Sequence, residues 1–197
     1  MANHNSPNVN QTLSVLLNHY NFETVLDIGC GKCIHTDYFK SKNKKVTSTD
    51  YFKTREDVIS GDYMSLQFEE HDAVWCSHVL EHQFNVDLFL RKLVSECKEG
   101  GTIALTVPPL KHEIVGGHLS LWNAGLLIYR LILTGLDCSK ARVGTYGYNI
   151  SVVTEKISIQ LPDLKHGNGD LETLSKYFPI KVKQGFNGQK INHNWEV

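Results

Sequence analysis

The chain has 197 residues, 41% of them hydrophobic and 21% charged, with a formal net charge of -1. That is the length of a single domain, with enough apolar content to build a core that needs neither disulfides nor metals. The near-neutral balance removes any electrostatic reason to expect nucleic acid or an anionic membrane as the main partner.

Taken in chain order, residues 11–20 place Leu13, Leu16, Leu17 and Tyr20 at helical spacing. Residues 25–28, VLDI, read as a buried strand that ends in an acid and runs into Gly29-Cys30-Gly31. Two glycines spaced by one residue mark a tight turn where a ligand can lie against bare backbone before a helix begins, here over 35–41. Residues 45–49 form a second strand ending at Asp50. Residues 51–57 are too few for a full crossover helix, and 58–59 form a weak third strand leading to Gly61-Asp62.

A fourth strand is expected over 72–77, followed by HVLEH and a helix with Val86, Phe89, Leu90, Leu93 and Val94 on one face. Gly100-Gly101 is expected to end that helix, and residues 102–107 form a fifth strand stopped by Pro108-Pro109. Beyond it come a loop with His112, Glu113 and His118, a long apolar helix over roughly 119–134, and two strands over 138–147 and 149–155. A polar tail with a short helix at 171–177 completes the chain. Strands alternating with helices predict a doubly wound, mostly parallel α/β sheet with an antiparallel edge hairpin.

Five cysteines without framework spacing argue against a secreted disulfide scaffold, and the polar start MANHNSPNVNQT lacks a signal-peptide profile. A cytoplasmic location is expected. The most apolar stretch is interrupted by Asn123 and Arg130, so no stable membrane insertion is expected.

Ligands of doubly wound sheets bind outside the carboxyl ends of the strands, and Asp27, Asp50, Asp62 and His78 all fall there. A dinucleotide fingerprint requires a third glycine where this chain has Ile34, and no phosphate-gripping loop is present. S-adenosylmethionine has no phosphate and suits this set. Asp50 can accept both ribose hydroxyls, Asp62 can meet the adenine amine, and Asp27 can face the ammonium of the amino acid end.

The segments VLDIGCG (25–31), TDY (49–51), GDY (61–63), DAVWCSHVLEH (72–82) and the Gly100-Gly101 turn before TIALTVPP resemble the class I S-adenosylmethionine-dependent methyltransferases of type 11. The resemblance implies a Rossmann-like, seven-stranded sheet. It also implies cofactor contacts from Asp27, Gly29, Cys30 and Gly31, from Asp50 and Tyr51, from Asp62 and Tyr63, and from Ser77 and His78. Cys33 departs from the pattern, which usually has glycine or another small residue there. Some members with E-x-x-E-H at the strand-four exit bind a divalent metal. Here His78 replaces the first acid, and the expectation is no metal, with Glu81 and His82 ordering the start of the helix.

His78-x-x-Glu81-His82 also matches an inverted zinc-peptidase arrangement, and Cys30-x-x-Cys33 a redox or zinc pair without a second half. Both are weaker readings than the glycine turn. His118 and then His112 are the expected general bases, because they follow the fifth strand. Trp122, Leu126 and Tyr129 are expected to cover the acceptor.

The whole chain, 1–197, is thus expected to be one methyltransferase domain, with 1–110 binding cofactor and 111–197 binding a small-molecule acceptor. O-methylation of a sugar or other hydroxyl-bearing metabolite is the expected reaction. The alternatives are a non-catalytic S-adenosylmethionine-binding protein and, against Ile34, an NAD-linked oxidoreductase.

Overall fold

The computed structural model describes residues 11–197. Seven strands form one sheet: β1 (Thr24–Ile28), β2 (Lys45–Asp50), β3 (Val58–Ser60), β4 (His71–Ser77), β5 (Cys97–Val107), β6 (Arg142–Tyr146) and β7 (Asn149–Glu155). Their order is β3-β2-β1-β4-β5-β7-β6. All pairs among β1 to β5 are parallel, and β7 runs antiparallel to both β5 and β6. The order reverses between β1 and β4, so the crevice above their carboxyl ends is the ligand position such a topology provides.

Alternation along the central strands feeds two cores, one on each face. Leu26, Ile28, Val74, Cys76, Ile103 and Leu105 face the larger core. That side is covered by α3 (Val86–Ser95), α4 (Ala124–Leu133) and α5 (Asp170–Leu174). Val25, Ala73, Trp75 and Ala104 face the smaller one, beneath α1 (Gln11–His19) and α2 (Ile34–Ser41). Strands buried on both faces read as continuous apolar runs, which is how β1, β4 and β5 are legible in the sequence.

Several boundaries differ from expectation, among them the start of β6, at Arg142 rather than 138. Gly100-Gly101 does not end α3, which stops at Ser95; both glycines lie inside β5, where the pairing with β4 slips between His71 and Ala73. Gly100 takes φ +75°, and a side chain on Gly101 would come within 2.7 Å of the Asp72 carbonyl, so the irregularity needs both glycines. The helix expected from 119 begins at Ala124, because the Asn123 side chain accepts the Leu126 N–H at 2.8 Å and caps it there. HVLEH forms only a short 3-10 turn, Leu80–His82, and α3 is capped by Asn85 rather than by Glu81 or His82. Among the described residues, no helix is long and apolar enough to cross a membrane.

Candidate cofactor site and acceptor cleft

The glycine turn is built by backbone conformation. Gly29 takes φ +72°, Gly31 φ +52° and Cys33 φ +61°. The N–H groups of Gly29 and Cys30 both donate to the Thr49 carbonyl of β2, at 2.8 and 3.1 Å. Cys33 precedes α2 in a left-handed conformation without a side-chain cap, which gives a physical reason for a glycine to be favoured at that position. A Cβ on Gly31 would meet nothing within 4 Å, so the turn presents open backbone on the ligand side. A Cβ on Gly29 would lie 2.2 Å from Val79 Cγ2. Gly29→Ala is therefore expected to cost about 1–3 kcal/mol in urea denaturation through overpacking and left-handed strain. Adding Val79→Ala should recover the steric share and leave the backbone share, about 1 kcal/mol.

Asp50 and Asp27 border this turn, and Asp62 follows β3, where the Gly61 N–H donates to the Asp50 carbonyl at 3.0 Å. Asp50 is half-buried and accepts the Gly31 N–H at 2.8 Å and the Phe52 N–H at 3.1 Å, so it orders the turn while its remaining lone pairs stay available. Asp62 is exposed and accepts the Met64 N–H at 3.0 Å. Asp27 is only 1% exposed. Burial raises its carboxyl to about 6; the Thr36 hydroxyl, donating at 2.6 Å, partly opposes this, and the Asp50 charge adds to it. Thr36 and Ser48 hydroxyls are 2.9 Å apart, completing a buried chain behind the turn.

The other expected contacts are placed unequally. Tyr51 is exposed, edge-on to Phe52. The Tyr63 ring is buried against Phe89 and stacked on Phe68, and its hydroxyl donates to Glu96, so its side chain faces the core and only its backbone is near Asp62. Ser77 ends β4. His78 follows with φ +57°, Nε2 2.8 Å from Asn149 Oδ1 and Nδ1 3.3 Å from Glu81 Oε1. Burial opposes charging of His78, but Glu81 and Asn149 outweigh it and raise its pKa. The neighbouring His35, tilted against Trp75, is held down to about 4 by burial and by His78. Cys30 and Cys33 are free, buried thiols with sulfurs 3.7 Å apart and no disulfide between them, and burial pushes the Cys30 thiol far up, so Cys30 is not a reactive thiolate.

Beyond β5, the loop 108–122 encloses a cleft of about 180 Å³. His112, His118, Trp122 and Tyr148 line it, with Pro108 at its base. Lys111 sits over the Tyr148 ring at 4.4 Å and closes one side. Both expected bases thus reach one cavity, and so does Trp122. Leu126 and Tyr129 do not; they line a separate open hollow with Phe186 and His166.

The family model described as a methyltransferase domain, type 11, matches residues 26–105. No curated protein sequence gives a match. The fold is similar to a 1,6-didemethyltoxoflavin-N1-methyltransferase from Burkholderia thailandensis, at 14% identity and TM-score 0.61, over 74% of this chain and 76% of that one. It is also similar to a SAM-dependent methyltransferase from Archaeoglobus fulgidus, at 17% identity and TM-score 0.58, over 74% and 92%. A third similar structure is a putative O-methyltransferase from Nostoc punctiforme, at 14% identity and TM-score 0.61, over 74% and 55%. At such identities these likenesses speak to the fold, while the matched model spans the glycine turn, both following acids and the strands that carry them. Residues 26–105 thus match the methyltransferase domain family, and the fold of the described residues is the one shared by S-adenosylmethionine-dependent methyltransferases.

Proposed function

We propose that this methyltransferase acts on a small hydroxyl-bearing acceptor, with residues 1–110 holding the cofactor and 111–197 the acceptor in one domain. The observation that carries this is the cleft beyond β5: about 180 Å³, partly aromatic, and lined by two imidazoles. A cavity of that size takes a metabolite or a sugar ring. Structural neighbours named for methylation of 1,6-didemethyltoxoflavin and of mitomycin support a small acceptor.

The cofactor fits the residues present. The carboxylates repel a pyrophosphate and favour a cationic, phosphate-free ligand, and the open face of Gly31 leaves room for it. When bound, the cofactor supplies an activated methyl group on a sulfonium. The Gly29–Gly31 turn, open at Gly31, holds its amino acid end, and Asp27, when ionised, is the negative charge behind that turn. Asp50, with the Tyr51 segment, takes the ribose hydroxyls, and Asp62, with the backbone at Tyr63, takes the adenine. Ser77 and His78 border the opposite edge.

Methylation of a hydroxyl oxygen releases one proton, and the chain must accept it. His112 is exposed at the cleft and free to do so. His118 lines the same cleft but stands edge-to-face with His82, ring centres 5.1 Å apart, beside Glu81. The rest of the rate comes from holding acceptor oxygen and methyl group in line.

Deuteromethyl-labelled S-adenosylmethionine, incubated with the protein and a pool of low-molecular-weight metabolites, should yield a labelled product visible by mass spectrometry. Label appearing only in macromolecules contradicts the small acceptor. Cofactor binding without any transfer favours the non-catalytic alternative.

A further inference from the structure

The open hollow beside the start of α4 belongs to neither the cofactor turn nor the acceptor cleft. Its volume is about 450 Å³, within the roughly 300–1,000 Å³ of small-molecule pockets, whereas the cleft beyond β5 holds about 180 Å³. Part of its wall is built by close approach of backbone. The Gly125 N–H donates to the Gly188 carbonyl at 3.0 Å. A Cβ on Gly125 would stand 2.8 Å from the Phe186 ring, and one on Gly188 would stand 2.6 Å from Asn123 Oδ1, the atom that caps α4. Two glycines thus let residues 186–188 lie directly on the first turn of α4 and bring Phe186 to the hollow.

Another part of the wall is the turn before α5. Asp170 is buried and accepts the N–H groups of Lys165 and Gly167, both at 3.0 Å. These bonds hold His166 at φ +54°, a left-handed conformation that a non-glycine residue keeps only where its surroundings impose it. Tyr129 and Phe186 give the hollow aromatic surface. His166, Asn168 and Gln184 line it with exposed, planar polar side chains that have no hydrogen-bond partner among the described residues. Each amide, and a neutral imidazole, offers a donor and an acceptor together, and adjacent sugar hydroxyls donate and accept in the same way. The C–H face of a sugar ring packs on aromatic surface. Burial and the Asp170 charge raise the Tyr129 phenol, so its hydroxyl stays protonated as a further donor. Asp170 is the one carboxylate of the lining, which has no Lys or Arg, and its oxygens already hold backbone N–H groups. No uncommitted charge therefore selects an ion.

We propose that this hollow is a saccharide-binding subsite, which takes a neutral sugar unit of an acceptor longer than one ring. Trp122 lines the cleft and Asn123, the next residue, lines the hollow, so one stretch of chain borders both spaces. The unit to be methylated occupies the cleft, and its neighbour in the glycan rests on Tyr129 and Phe186. The link to methylation rests on the hydroxyl-acceptor reading above; the binding itself does not.

Saturation-transfer NMR on the full chain without cofactor reads binding alone, with cellotetraose, maltotetraose and chitotetraose as probes and choline and adenosine beside them. At least one tetrasaccharide should give a signal. Asn168→Ala and Gln184→Ala should each weaken its binding about three- to tenfold, the share of one or two hydrogen bonds, and Tyr129→Ala at least about tenfold. Asn168 and Gln184 are exposed, so those variants test the subsite even if Tyr129→Ala disturbs α4. No signal from any of the three saccharides overturns the proposal, and so does binding unchanged in both amide variants. A signal from choline or adenosine alone overturns the ligand class. S-adenosylhomocysteine affinity should be the same in all three variants as in wild type, and a loss in the amide variants contradicts a separate subsite. Tetrasaccharide binding that these variants weaken, without methyl transfer to that saccharide from S-adenosylmethionine, upholds the subsite and faults the hydroxyl-acceptor reading instead.

Discussion

Asp50→Ala should lower the affinity for S-adenosylhomocysteine by about a hundredfold or more. A ribose diol held by one carboxylate makes two charge-assisted hydrogen bonds, each contributing about 1.5 kcal/mol or more, and about 1.4 kcal/mol is a factor of ten. The variant also releases the Gly31 and Phe52 N–H groups that Asp50 now holds, so the turn loses order as well as a ligand contact. Asp50→Asn separates the two effects. Its amide oxygen can still receive the Gly31 N–H, but it has no charge and can accept from only one side, so a loss of roughly tenfold is expected. Isothermal titration of the three proteins checks this, and equal affinities would remove Asp50 from the site.

Asp27→Asn should stabilise the free protein while weakening cofactor binding. The Asp27 carboxyl is raised from 3.8 to about 6 by burial. The folded state therefore keeps a proton that the unfolded chain gives up between those two values, and stability falls as pH rises through that window. Above about pH 6 the whole cost is present, about 2 pKa units or roughly 3 kcal/mol at about 1.4 kcal/mol per unit. Asparagine avoids it and can still accept from Thr36. The difference in melting temperature between variant and wild type should thus be absent below about pH 4, open between 4 and 6, and stay constant above. Binding runs the other way. Only the ionised Asp27 attracts an ammonium group, so wild-type affinity should fall below about pH 6 by up to tenfold per unit, and Asp27→Asn should show no such dependence. A variant less stable than wild type at pH 7 would mean that Asp27 has a partner stronger than Thr36.

The glycine turn was legible because its physics is local. A buried strand ending in an acid and two spaced glycines states its own conformation, and Gly29 and Gly31 take the positive φ values the turn demands. The acids at the ends of β2 and β3 follow from strand periodicity and topology alone. Tyr63 comes into the set through the GDY resemblance, and sequence does not show that its ring turns inward to Glu96 and Phe89 and leaves only its backbone beside Asp62. Glu81 is the sharper case. Its spacing with His82 was visible, but burial came from a loop more than thirty residues later, through Leu119 and Gly117. Gly100-Gly101 looked like a helix stop, and only pairing with β4 shows it to be an irregularity inside β5. What could not be read was in each case a contact between distant segments.

A phosphate-free adenosine ligand is expected to rest on the Gly29–Gly31 turn beside Asp27 and Asp50, with Asp62 beyond β3. Calorimetric titration of the protein with S-adenosylhomocysteine, and separately with NADH, tests this most directly. Saturable one-to-one binding of S-adenosylhomocysteine, with no heat of binding from NADH, is the expected result. Binding of NADH without S-adenosylhomocysteine would contradict it.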